Sequence, residues 1–207
     1  MESKHTSSRR WAGVVVLALG LASAGCTISS SRNDSSGAGV VTMSWAAHVP
    51  KRIAVLPFES DASIAEVDTI ARFEFAKHLS VLPYEDVEVR VVDKEAKGKN
   101  LSSLEERQRI GKALGADTIV RGRVLVSDHR WALIAAWNIV KLEVAMENVE
   151  TGQEIWKSRD TAFGISFGLD PISWVFNGYR EMIWWREFYR RLDDACRNMT
   201  KTIPQAL

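Results

Sequence analysis

The chain holds little with which to do chemistry. Of its 207 residues, two are cysteine, four histidine and five proline. Two cysteines cannot build a disulfide framework. The histidines, His5, His48, His78 and His129, are scattered and show no HExxH or comparable ligand spacing, so no metal site and no cofactor are expected. Neither GxxxxGK nor GxGxxG occurs, which removes the two common phosphate-cradling loops. Charge of one sign is missing as well. Lys plus Arg number 27 and Asp plus Glu 26, a balance that does not suit a nucleic-acid partner. What is present is ordinary for one globular domain: 46% apolar and 26% charged residues.

The N-terminus carries the strongest local signal. Residues 1–10 are polar and basic, and 11–22, WAGVVVLALGLA, are apolar and uncharged. A helix of that length spans only about 18 Å, short of a hydrocarbon core of about 30 Å, so it reads as the hydrophobic region of an export signal over 1–25. Ser23-Ala24-Gly25-Cys26 then resembles a bacterial lipobox, with Ser23 in place of the usual leucine. That resemblance implies cleavage before Cys26 and acylation of its thiol, which tethers the chain to a membrane leaflet. Thr27, rather than Asp, follows the cysteine and points to an outer-membrane address facing the periplasm, with the inner membrane as the alternative. Removal of the signal leaves 24 basic and 25 acidic side chains. Residues 26–50 form a tether and arm. TISSSRNDSSGAG, with five Ser and two Gly, reads as flexible, and VVTMSWAAHVP as an extended arm lying on the domain.

From residue 51 to 207 the patterning predicts one α/β (α+β) domain in the order β-α-β-α-β-β-β-α, with a mixed sheet of about five strands. Residues 52–58 are a short buried strand ended by Pro57. Ile64, Val67, Ala71, Phe75 and Leu79 repeat at helical spacing over 62–80. VEVRVVD (87–93) alternates and predicts a second strand. Ser102 or Ser103 caps a helix running to Leu114, with Gly115 as its left-handed stop. Residues 117–126 and 138–147 are strands. Val120, Gly122, Val124 and Val126 face inward on the first, and Val140, Leu142, Val144 and Met146 on the second. Arg121, Arg123, Lys141, Glu143 and Glu147 face outward. A turn at 150–153 leads to a partner strand over 153–164. The last helix buries Trp185, Phe188, Tyr189, Leu192, Cys196 and Met199, with Cys196 an inert buried thiol and Asp193-Asp194 on the solvent side.

KRIAVLPFES, a helix, VEVRVVD, ERQRIGKALGADTIVRGRV and ETGQEIWKSRD follow one another in the order seen in a known group. Ile53–Phe58, Leu114–Val120 running to Gly122, Thr151-Gly152 and Trp156 carry the match. The chain resembles the N-terminal domain of TolB and the bacterial lipoproteins built on it, such as the secretion lipoproteins CsgG and PelC and the wall-synthase activator LpoB. The resemblance covers about 52–164 and the final helix. It implies a non-catalytic envelope assembly or interaction module. Such a module is a periplasmic subunit of a secretion apparatus or an activator of a cell-wall enzyme. The implied partners are the membrane, an envelope protein the sequence does not name, and further copies of the chain. A CsgG-type pore and an uncharacterised periplasmic enzyme are the alternatives. The pore reading needs membrane strands at 128–138 and 163–178, and WALIAAWN does not alternate as such strands do.

No catalytic residue is expected. The unusual feature is 172–191, ISWVFNGYREMIWWREFYRR, which holds 7 of the chain's 18 aromatics. Trp185, Phe188 and Tyr189 suffice for a helix core, which leaves a surplus interleaved with arginine. Exposed aromatics and arginines desolvate a large area and still hydrogen-bond, so they suit a contact surface. The candidate interaction surface is therefore Trp131, Trp137, Trp174, Phe176, Tyr179, Trp184, Arg180 and Arg186, with Cys26 as the lipidation site.

Overall fold

A computed structural model describes residues 39–42, 45, 48–61, 66–132, 135–167 and 177–204. Seven strands form one mixed sheet: β1 Val40–Val41, β2 Arg52–Val55, β3 Glu59–Ser60, β4 Glu85–Asp86, β5 Thr118–Ala132, β6 Ala135–Asn148 and β7 Glu154–Phe167. The helices are α1 Val67–Leu79, α2 Val89–Ala96, α3 Leu104–Ala113 and α4 Asn177–Thr200. The sheet order is β1-β7-β6-β5-β2-β4, with β3 added to β5. The β2–β4, β2–β5 and β3–β5 pairs are parallel, whereas β5–β6–β7 is an antiparallel meander. The expected class and the division between a parallel half and an antiparallel half hold. Four of the five expected strands are present, as β2, β5, β6 and β7, and the two-residue strands β1, β3 and β4 lie outside the expected ranges.

Alternation along β2 sets up two layers. Ile53 and Val55 join one core cluster, and Ala54 and Leu56 the other. The larger cluster packs α1 and α4 against the sheet. It takes Val67, Ala71, Phe75 and Leu79 from α1, and Phe188, Leu192, Cys196 and Met199 from α4. Val140, Leu142, Val144 and Met146 of β6 all lie here, fully buried. On the other face Val92 and Ala96 of α2 and Ile110 of α3 cover Ala54, Leu56 and Ile119. β2 ends before Pro57, which has no N–H for the ladder, and pairing with β5 resumes at β3 opposite Arg123 and Val124.

Several expectations need correction. VEVRVVD is not a strand: pairing stops at Asp86, and Val89–Ala96 is helical. Val92 and Ala96, one turn apart, are buried while Val91 is exposed, so period 3.6 won over period 2. α1 begins at Val67, and Ile64 lies outside the described residues. Ser103 stands at the start of α3 without a side-chain cap bond, and Ser102 Oγ donates to Glu59 instead. Val126 is exposed because the β5–β6 register slips between Val124 and Val126, which reverses the facing of later residues. Ser127 then points inward and is buried. Glu147 is on the expected face but is buried beneath Arg107 and Arg121. Tyr189 is 40% exposed, and Arg191 takes the buried place one turn below Phe188. The Trp185 side chain lies outside the description.

Gly115 ends α3 as expected, at φ +64°. Its N–H bonds to the Lys112 carbonyl and the Ala116 N–H to that of Gly111, the paired 5→2 and 6→1 bonds of a Schellman stop. Asp117 follows and stitches this corner together, accepting the Lys51 N–H at 3.0 Å and the Thr118 hydroxyl at 2.8 Å.

The first two residues of the arm add a strand to the sheet. Val40 and Val41 pair with Lys157 and Trp156. Thr42 Oγ1 donates to β7 carbonyls, Trp45 is buried, and His48 Nε2 lies 3.2 Å from Thr118 Oγ1. Trp156 Nε1 donates to Thr202 Oγ1 just past α4, so arm, sheet and final helix meet at one end of the domain.

Candidate functional site

The meander is much longer than the strand it adjoins. β5 has 15 residues and β6 and β7 have 14 each, against four in β2. At about 3.3 Å per residue, β5 runs for about 50 Å, so its distal part extends well past β2. Beyond Val124 the outer edge of β5 has no partner strand among the described residues, and the same holds for β7 beyond Lys157.

Part of the expected interaction surface falls on this distal end. Trp131 is paired with Ala136, and Trp137 with Arg130 and Ile165. Ala135 pairs with Phe167, so the hairpin tip and the exit of β7 are neighbours. Trp137 is half-buried. Tyr179, Arg180, Trp184 and Arg186 lie on the first half of α4, where the backbone alone is described. Trp174, Phe176 and Cys26 lie outside the described residues, as does the Trp131 side chain. His129 is a β5 residue paired with Asn138.

One motif went unread in the sequence. Gly164-Ile-Ser166-Phe-Gly168 has the spelling GxSxG. A nucleophile elbow needs a sharp strand-to-helix turn. Residues 164–167 instead lie within β7, with Gly164 opposite Asn138 and Ser166 opposite Ala136, and Gly168 is outside the described residues. Thr118, His48 and Asp117 also mimic a triad by their contacts. Thr118 is fully buried and donates its proton to Asp117.

Several polar groups among the described residues make structural bonds. Arg72 is buried at the end of β2, where Nε and Nη2 both donate to the Val55 carbonyl and Nη1 pairs with Asp93 of α2. It thus fills the carboxyl end of a parallel strand, where open α/β sheets often seat ligands. Glu147 accepts Arg107 Nε at 2.9 Å and Arg121 Nε at 2.5 Å. Glu143 lies between Lys157 and Arg159. Partial burial opposes its charge, but these two cations outweigh burial and hold its carboxyl below the usual range. Asp160 faces α4 under burial that pushes its carboxyl up, partly offset by bonds from the Thr161 N–H and Asn198. Cys196 is buried, its thiol pushed well up by loss of water, with Sγ 3.7 Å from the Ala71 carbonyl, as expected of an inert thiol.

A mixed cluster joins α1 to α4. Lys77 Nζ donates to Glu74 Oε2 at 2.6 Å and Asp193 Oδ1 at 2.8 Å, and His78 Nε2 lies 2.8 Å from the same Oδ1. Burial works against the Asp193 charge, yet the bonds from Lys77 and His78 prevail and lower its pKa to about 2. The same bonds hold the Lys77 ammonium protonated well above its ordinary range. Asp193 therefore faces α1, not open solvent as its sequence suggested. Its partners are distant in sequence, so spacing could not reveal the cluster.

No protein-family model matches the chain, and no curated protein matches it. Solved structures do. Lipoprotein GNA1162 from Neisseria meningitidis is 15% identical with a TM-score of 0.50, over 66% of this chain and 97% of that one. PelC from Paraburkholderia phytofirmans, solved as a dodecamer, is 11% identical with a TM-score of 0.50, over 86% of this chain and all of that one. A second PelC structure from the same organism is 12% identical with a TM-score of 0.52, over 88% and 99%. At such identities the likeness is one of fold. The fold is that of these bacterial lipoproteins, which agrees with the expectation drawn from the strand and turn motifs.

Proposed function

We propose that the chain is a lipid-anchored, non-catalytic module of the bacterial envelope that works by protein contact. The long meander, whose edges have no partner strand beyond Val124 and Lys157 among the described residues, is the observation that carries this reading. The distal part of β5 runs past β2, while Arg72, Glu147, Glu143 and Asp193 are engaged in ion pairs within the fold. The lipobox-like Cys26 supplies the anchor, and the shared fold with GNA1162 and PelC supports an envelope setting. PelC is a dodecamer, which supports self-association as the mode of action here. The finer roles are a periplasmic subunit of a secretion apparatus, preferred, or an activator of a cell-wall enzyme, on the outer membrane and facing the periplasm.

The test is sedimentation of the mature protein in detergent together with mass spectrometry of its N-terminal peptide. An acylated Cys26 and a discrete oligomer, or a stoichiometric envelope partner trapped by in-cell crosslinking, are expected. An unmodified Cys26 on a monomer that crosslinks to nothing would overturn the reading.

A pore-forming role is the second reading. β5, β6 and β7 exceed the roughly 9–11 residues that a tilted membrane strand needs. Residues 131–137 lack the required alternation, so ion conductance in planar bilayers is expected to be absent. Discrete channel steps would favour the pore.

A further inference from the structure

We propose that Glu74, His78 and Asp193 form a zinc-type metal site at the crossing of α1 and α4, covered by the Lys77 side chain. Glu74 and His78 are one turn apart on α1 and share a face. Asp193 comes from the other helix. The three ligand atoms lie within 4.8 Å of one another, and ligands bonded to one ion at about 2.0–2.2 Å stand about 3–4 Å apart. Small side-chain adjustments would close that gap.

Two features make the cluster more than a group of acids. One donor is an imidazole nitrogen, and one nitrogen with two carboxylate oxygens and an open position suits Zn²⁺. Mg²⁺ and Ca²⁺ prefer oxygen alone. The position between the carboxylates also already holds a cation, the Lys77 ammonium, at 2.6 and 2.8 Å. Lys77 is 51% exposed and can turn its ammonium into water, while Glu74, His78 and Asp193 are at most 30% exposed and are held by their helices. Lys77 is thus a built-in competitor. A bound metal would tie α1 to α4, the helix whose first half carries the aromatic–arginine segment. Cys196, also on α4, is not a ligand, because its thiol is buried against Ala71.

The experiment is calorimetric titration of the mature, detergent-solubilised protein with ZnCl₂, paired with thermal unfolding. The wild type is expected to bind one Zn²⁺ and melt higher. Lys77→Ala should bind at least tenfold tighter, because the competing cation is gone. His78→Ala and Asp193→Asn should each bind at least tenfold more weakly than wild type, and MgCl₂ should produce neither heat nor a melting shift. Zinc binding unchanged in both His78→Ala and Asp193→Asn would mean adventitious binding elsewhere, at His48 or His129 for instance, and would overturn the proposal. So would a Lys77→Ala protein that binds no tighter than wild type.

Discussion

The Phe58 ring occupies the space a side chain at Gly122 would need: a Cβ built on Gly122 would meet three ring atoms at 2.5 Å. Phe58 in turn lies 6.1 Å from Phe75 of α1, centroid to centroid, and Phe75 lies 6.4 Å from Trp156. Gly122 thus lets the segment after β2 fold onto the sheet and complete the larger core. Gly122→Ala should push Phe58 off its seat and cost about 1–3 kcal/mol by overpacking. Phe58→Ala should cost about 3–5 kcal/mol. In Phe58→Ala the glycine substitution should become nearly free, and urea midpoints for the double-mutant cycle will measure that coupling.

Cys26→Ser should release the protein from membranes or block its maturation. Fractionation and N-terminal mass spectrometry report this directly. A wild-type protein that is wholly soluble with an unmodified N-terminus would remove the anchor from the proposal.

Neighbouring positions on β6 should respond to charge for different reasons. Val144→Asp places an unpaired carboxylate in the core and should cost several kcal/mol. Glu143→Lys looks harmless from the alternation alone. The structure sets it between Lys157 and Arg159, so reversal gathers three cations and should cost about 1 kcal/mol, reduced by added salt. Chemical denaturation at low and high salt separates the two effects.

Two aspartates should shift stability with pH in opposite directions. The folded pKa of Asp193 is lowered to about 2, so its contribution is present above the ordinary carboxylate value near 3.8 and is lost as pH falls toward 2. The site is partly exposed, so about 1 kcal/mol is expected, and Asp193→Asn should lose it at pH 7. The folded pKa of Asp160 is raised, so its protonated form is favoured and its contribution falls as pH rises through that raised value. Asp160→Asn should therefore stabilise the protein at neutral pH. Melting curves from pH 2 to 8 for both variants test the signs.

Trp174→Ala and Trp184→Ala should weaken self-association or partner binding more than they lower the melting temperature. A buried tryptophan would behave the other way, costing about 3–5 kcal/mol of folding energy. Sedimentation and melting of both variants decide whether the aromatic–arginine segment is a contact surface.

Much of the fold was legible because its signals are local. Val140, Leu142, Val144 and Met146 declare their strand and its facing at once, since a half-buried strand must alternate. Gly115 declares the end of α3 because left-handed backbone there favours a residue without Cβ. VEVRVVD was misread because its valines fit periods of 2 and 3.6 alike, and only the neighbours α2 finds in the second core layer choose between them. The slip after Val124 left no mark in composition, so Val126 was turned the wrong way.

By itself the sequence determined the class of the domain and the apolar faces of its main helices and of β6. Each depends on side chains within a few turns or a few strand residues of one another. Tertiary structure decided the rest. Long-range backbone pairing recruited the arm as β1 and carried the meander out to Ala132 and Phe167, because antiparallel N–H and C=O groups satisfy each other whatever the side-chain pattern. Helix crossing brought Asp193 to Lys77 and His78 across sequence separations of 116 and 115, and sheet pairing set Glu147 between two arginines. Partners of that kind are chosen by proximity in the folded chain, so no spacing along the chain could announce them.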